Sequence, residues 1–224
     1  MTRIEAGTSQ GPAWVDWTAP DSGAVSFVMA LTHGAGGAVG SADLLAARDA
    51  ALTLGGGVAL ITQPYRVRGA RAPGHPDRQD EAWIDLMTWL RSPSGPAAGS
   101  GPQLPLIVGG RSNGARVACR TAAAAGARGV LALAFPLRPP ARRIKGSDEV
   151  AFPPDRSPEL QEATQGGAHV LVLNGDRDPF GIPAASEAIQ VVVLNGETHS
   201  LSKKPSAVTT AVTKWLADLA LPVP

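Results

Sequence analysis

The sequence predicts an α/β fold, an open and mostly parallel β-sheet with helices on both faces. Six short apolar, β-branched runs lack strict polar alternation, as strands buried on both faces do. Between them lie segments whose apolar side chains recur at helical spacing. Strands alternating with helices imply right-handed βαβ crossovers and therefore a helix layer on each face of one sheet. At 224 residues the chain suits a single domain over 1–224, since one core can grow to roughly 250 residues before chains divide.

Residues 1–20 read as an N-terminal extension or a first strand. Ala24–Thr32 is the first apolar run, and Ser41–Leu54 follows as a helix with Leu44, Leu45 and Ala51 on one side. Gly57–Thr62 is the next strand. Arg78–Arg91 then carries Trp83, Leu86, Met87 and Leu90 on one helical face, with Asp77 or Asp80 as its cap. Leu104–Gly109 reads as a strand, Asn113–Ala125 as an alanine-rich helix, and Gly129–Phe135, His169–Asn174 and Gln190–Leu194 as strands. Ser206–Leu219, capped by Ser206, is the last helix, with Val208, Val212, Trp215 and Leu219 facing inward. Two stretches fit no element. Arg91–Pro105 reads as a flexible surface connection, and the proline- and charge-rich Pro136–Leu160 is too short for a lid domain but long enough to shape a site entrance.

Composition narrows the function classes. A net charge of +1 gives no electrostatic footprint for nucleic acid or acidic lipid, and the group Arg142-Arg143-Ile144-Lys145 reads as a solvated loop. The single cysteine, Cys119, precludes an internal disulfide and reads as a small buried apolar side chain. No signal-peptide h-region and no apolar run near the ~18 residues of a membrane span are visible, so the expectation is a cytoplasmic protein. Arginine outnumbers lysine, an association with GC-rich bacterial genomes. No cluster with metal-ligand spacing stands out, and the chemistry below needs neither metal nor other cofactor.

The most informative segment is Leu104 to Ala118, a strand running through Gly110-Arg111-Ser112-Asn113-Gly114 into a helix. A serine at such a G-x-S-x-G turn adopts a strained backbone that stands its hydroxyl clear of the sheet. Only very small residues fit two positions before and after it. With 26 glycines in the chain, spacing alone arises by chance about 0.2 times, so context must decide. Gly7-Thr8-Ser9-Gln10-Gly11 has the spacing without an apolar strand before it or a helix after it, and is set aside.

Three further segments complete the pattern. Phe27–Thr32 runs into His33-Gly34-Ala35-Gly36-Gly37, where a backbone N–H would join that of the residue after the serine as an oxyanion hole. By register the donors are Ala35 and Asn113, with His33 fixing the loop or walling the pocket. After the run ending at Asn174 comes Gly175-Asp176-Arg177-Asp178-Pro179-Phe180, and after Leu194 comes Asn195-Gly196-Glu197-Thr198-His199. The order serine, acid, histidine follows, with Ser112 as nucleophile, His199 as base and Asp178 as acid; Asp176 is the alternative acid. His75 and His169 read as structural.

These motifs resemble the α/β-hydrolase superfamily. More narrowly they are similar to a small lidless group of bacterial α/β hydrolases that also holds the testis-expressed 30 protein and the hydrolase-like domain of a chromatin-complex subunit. The resemblance rests on Thr32-His33-Gly34-Ala35-Gly36, Pro64-Tyr65-Arg66 with Arg71-Ala72-Pro73, Gly109 to Gly114, Phe135 to Pro140, Gly175 to Gly181 and Thr198-His199-Ser200. It spans about Val25 to Leu219. It implies an α/β-hydrolase fold without a separate lid domain, and the group often has His at Arg138 and Gly at Ala115.

The leading function is hydrolysis of a small-molecule ester or thioester through an acyl-enzyme on Ser112. The pocket is expected among His33, Gly34, Tyr65, Arg66, Asn113, Leu137 and Phe180, shallow and open. Two alternatives stand beside it: a non-catalytic scaffold or binding protein on the same fold, and a lyase, cyclase or acyltransferase using the same site. Peptidase and lipase roles lack the extra domain or apolar lid they would need. Neither nucleic acid nor membrane is an expected partner, and the oligomeric state is open.

Overall fold

The computed structural model describes residues 1–21, 24–98, 104–139, 141–143, 146, 148–219 and 221. Residues 99–103 of the surface connection, Pro140, and Ile144 and Lys145 of the basic group lie outside the described residues. An eight-stranded sheet has the order β1-β2-β4-β3-β5-β6-β9-β10. Its strands are β1 Thr2–Ala6, β2 Ala13–Thr18, β3 Phe27–Thr32, β4 Gly56–Thr62, β5 Leu106–Arg111, β6 Gly129–Leu133, β9 His169–Gly175 and β10 Ile189–Leu194. From β4 to β10 every pairing is parallel, whereas β1 and β2 pair antiparallel at one edge. The architecture is the mostly parallel α/β sheet covered by helices on both faces that the strand and helix pattern led one to expect.

Alternation along β3 shows how the sheet serves two cores at once. Val28 and Ala30 join the core beneath α3 (Pro76–Leu90), α4 (Asn113–Ala125) and α5 (Ser157–Gln165). Phe27, Met29 and Leu31 join the core beneath α1 (Ala42–Thr53) and α6 (Pro205–Asp218). Successive strand side chains point to opposite faces, so continuous apolar runs follow from burial on both. Burial of Cys119 pushes its thiol well above the ordinary range and leaves it a packing residue.

Several elements depart from the expectation. Residues 1–20 hold two strands, and Gly7 to Gly11 is the turn between them, with Gly11 at φ 100° and Thr8 and Gly11 exchanging main-chain hydrogen bonds. A strand therefore does precede that decoy serine, but a second strand rather than a helix follows. Neither Asp77 nor Asp80 caps α3 and Ser206 does not cap α6. Each helix starts at a proline, at Pro76 and Pro205, whose fixed φ and absent N–H suit the first helical position. The strand at Gly129 stops at Leu133, because Ala134 turns to φ 48°. The Pro136–Leu160 stretch holds a short hairpin, β7 Arg142–Arg143 with β8 Val150–Ala151, and the first residues of α5. A short α2, Pro64–Val67, follows β4. Among the described residues no helix is long and apolar enough to cross a membrane.

The chain leaves β3 for β4 on one side and later crosses to β5 on the other, so β3 lies between them. At such a switch point the loops beyond the strand ends part and leave a crevice.

Candidate active site

Four of the motif loops meet at the carboxyl ends of β3, β5, β9 and β10. Ser112 follows β5 directly, with φ 52° and ψ −110°, a conformation costly for a residue with a Cβ. The glycines around it answer to crowding. A Cβ at Gly110 would lie 2.6 Å from the Thr32 carbonyl oxygen, and one at Gly114 would lie 2.7 Å from the carbonyl oxygens of both Thr32 and His33. Ser112 is anchored by its N–H to the Leu133 carbonyl at 2.8 Å, while its own carbonyl accepts the Arg116 N–H at 3.2 Å. Although it stands at the N-cap of α4, its hydroxyl does not cap the helix. Instead Oγ lies 2.9 Å from His199 Nε2.

His199 Nδ1 lies 2.9 Å from Asp178 Oδ2, whose side chain is wholly buried. A carboxylate can only accept, so Nδ1 carries the proton and Nε2 is left with a lone pair for the Ser112 hydroxyl. The other oxygen, Asp178 Oδ1, accepts the Phe180 N–H at 2.9 Å. Asp176 is exposed and accepts the Gly196 N–H at 2.7 Å, bracing the turn ahead of His199 instead of touching its ring. The Phe180 ring tilts against the imidazole with centroids 4.5 Å apart.

On the opposite side of Ser112, a Cβ at Gly34 would lie 3.4 Å from that of the serine, so the main chain of the loop is pressed against it. His33 is fully buried. Its Nδ1 donates to the Gly34 carbonyl at 2.8 Å and its Nε2 accepts the Gln63 N–H at 3.1 Å. Burial holds its pKa below the ordinary value, opposed by the bond to Gly34 and reinforced by the Arg66 charge. His33 therefore fixes the loop and is not a pocket wall. Tyr65 donates its hydroxyl to the Ala35 carbonyl at 2.9 Å, and burial pushes its phenol up to about 12, so it stays a neutral donor. The N–H of Asn113 opens α4 and has no intrahelical acceptor by position. Its side chain donates to Gln79 Oε1 of α3 at 2.6 Å.

The remaining expected pocket residues divide. Phe180 is half-buried beside His199, whereas Leu137 is a core side chain packed 3.8 Å from where a Cβ of Gly181 would sit. Arg66 donates to the Ala70 carbonyl at 3.2 Å within its own loop. The entrance stretch docks on the Asp178 turn through the Arg138 N–H, which donates to the Phe180 carbonyl at 2.7 Å. His75 is exposed 3.4 Å from Asp77, and His169 opens β9 at the surface, both away from these contacts.

Three supports were not read from the sequence. Asn174, fully buried, donates to the carbonyls of Phe135 and Gly181 at 3.0 Å each and accepts the Phe135 N–H at 2.9 Å, clamping the turn that carries Asp178. Arg111 donates from Nη2 to the His199 carbonyl at 2.9 Å, and its Nε lies 3.1 Å from the buried Asp43, an ion pair not aligned as a hydrogen bond. Burial raises the Asp43 carboxyl above its usual range, opposed by Ser41, the Arg111 charge and the Leu44 N–H. Glu197 Oε1 accepts the Lys204 N–H at 2.6 Å, tying the histidine loop to the start of α6. The available signals were a charged residue inside the serine motif and a polar residue ending an apolar strand. Neither names its partner. Among the described residues no group of three or more His, Cys, Asp or Glu side chains is arranged to hold a metal ion.

Comparison with known proteins places the fold. A family model described as an alpha/beta hydrolase domain matches residues 25–219. No curated protein matches the sequence. The chain is similar in structure to an α/β serine hydrolase without a lid from Xanthomonas campestris, with a TM-score of 0.73 at 20% identity over 100% of this chain and 96% of that one. It is similar to an α/β serine hydrolase homologue from Coxiella burnetii, with a TM-score of 0.71 at 16% identity over 96% and 97% of the two chains. A dienelactone hydrolase from Anabaena variabilis gives a TM-score of 0.69 at 16% identity over 97% and 96%. At these identities the likeness is one of fold.

Proposed function

The chain belongs to the alpha/beta hydrolase family, and from that premise we propose that it is a serine hydrolase cleaving a small ester or thioester through an acyl-enzyme on Ser112. The observation that carries this reading is the unbroken hydrogen-bond chain from Ser112 Oγ through His199 to Asp178, with both links at 2.9 Å. In the proposed cycle His199 Nε2 takes the serine proton as Oγ attacks the substrate carbonyl, then protonates the departing alcohol or thiol. Water, deprotonated by the same nitrogen, releases the acid. Asp178 keeps the proton on Nδ1 and steadies the imidazolium. The N–H groups of Ala35 and Asn113 receive the oxyanion, the first in a loop braced by Tyr65 and His33.

The test is fluorophosphonate labelling of the purified protein and its Ser112→Ala variant with the adduct mapped by mass spectrometry, beside turnover of short p-nitrophenyl esters. Labelling is expected on Ser112 alone, and the variant should lose roughly 10⁶-fold in turnover. A folded wild type that takes no label would instead favour a binding protein. A labelled Ser112 whose product lacks water-derived oxygen would favour acyl transfer or a related reaction.

A further inference from the structure

Two sets of arginines in this chain contrast. Arg3, Arg48, Arg111, Arg116 and Arg120 each face a carboxylate within 3.1 Å. Arg66, Arg68, Arg71 and Arg78 lie between β4 and the first turn of α3, and among the described residues none of them has an ion pair. Two of these, Arg68 and Arg78, line a cleft of about 130 Å³ together with Tyr65, His75 and Gln79. No carboxylate lines it. Of the nearby acids, Asp80 is engaged away from the cleft with Arg120 and Asp85 with the Ser9 N–H, while Asp77 and Glu81 bond to the lining residues His75 and Gln10.

One further feature gives the cleft the same polarity. The N-terminus of α3 opens at its wall without a side-chain cap, so first-turn N–H groups add partial positive charge there. The cleft also abuts the reaction site. Gln79 holds the Asn113 side chain and Tyr65 holds the Ala35 carbonyl, so its walls brace both proposed oxyanion donors.

We propose that this cleft binds an anionic group, a carboxylate or phosphate, carried by the ester substrate at the end away from the scissile carbonyl. Guanidinium forks suit such oxygens, and a cationic cleft beside the nucleophile selects esters that bear one. The assignment of that anion to a substrate rests on the serine-hydrolase reading, whereas anion binding by the cleft does not.

The experiment compares p-nitrophenyl hemiglutarate with the neutral valerate ester of the same chain length and with a phosphonate-ended analogue. The wild type is expected to prefer an anionic ester by about tenfold or more in kcat/KM, and Arg68→Gln/Arg78→Gln to lose that preference. Both arginines are exposed, so the variant should fold. In parallel, calorimetry on Ser112→Ala measures glutarate and inorganic phosphate separately, and the anion that binds identifies the group. Absence of binding by both, or binding unchanged by the double substitution, overturns the proposal. Binding that depends on the arginines, in a protein that turns over no ester and takes no label on Ser112, supports the anion site and removes the hydrolase reading.

Discussion

Ser112 is positioned by crowding of main chain, whereas His199 is positioned by polar side-chain contacts. Gly110 and Gly114 let the serine turn pass against the Thr32 and His33 carbonyls at the end of β3, and the φ of 52° goes with that packing. The imidazole hangs on a loop whose fastenings come from elsewhere: Arg111, 88 residues away, on its carbonyl, Asp178 on its ring, and Glu197 reaching to α6. One half of the pair rests on small residues that let the turn pack against β3. The other is a polar assembly that exists only once β5, β9 and β10 lie side by side.

The largest expected effect on this contrast comes from the distant half. Asp178→Asn should cost turnover about 10⁴-fold while the melting temperature changes little, because the amide keeps the shape but cannot hold the proton on Nδ1. A loss under tenfold would mean that the ring is oriented by its loop alone. Next comes Gly114→Ala, whose methyl would meet two carbonyl oxygens at 2.7 Å. It should lower stability by about 3 kcal/mol in denaturant titration, against less than about 0.5 kcal/mol for Gly36→Ala, where a Cβ meets nothing within 4 Å. Equal effects would deny that the serine turn is set by crowding.

Arg111→Met should lower kcat by about 10²-fold with KM for a neutral ester little changed, as expected when a reacting group is displaced by about 1 Å. Its stability deficit should grow as pH rises through the elevated titration range of the buried Asp43, which would then ionise without its counter-charge. A flat pH profile would show Asp43 neutral throughout. The smallest effect belongs to His33, whose folded pKa lies below its ordinary value. Its contribution is complete above about pH 6.5 and lost as pH falls, with a slope of at most about 1.4 kcal/mol per pH unit for one proton. Denaturation midpoints between pH 7 and 5 measure it, and the slope should shrink in His33→Gln.

Strands buried on both faces were legible because the period and the continuous apolar runs survive in the residue order, as at Leu106–Arg111 and His169–Gly175. The edge hairpin was not. β1 reads Thr-Arg-Ile-Glu-Ala, and its exposed side chains carry no apolar run, since an edge strand buries little. Prolines at helix starts misled the capping expectation, because Asp77 and Ser206 have the right chemistry two places past the cap positions His75 and Lys204. Loop positions of Ser112, Asp178 and His199 followed from motif and order, but the choice between Asp176 and Asp178 did not. Both are aspartates in one turn, and only packing buries one against the ring and leaves the other on Gly196.

The sequence by itself determined the layered α/β plan and marked the serine turn, since side-chain period and the small residues that such a turn requires both survive in the residue order. Tertiary structure alone decided which carboxylate faces His199, that Arg111 ties Asp43 to the histidine loop, that His33 is buried behind the Gly34 loop, and that among the described residues the arginines between β4 and α3 have no ion pair. Hydrogen bonds and charges act over a few ångströms in space, and distance along the chain does not report that separation until the strands are paired.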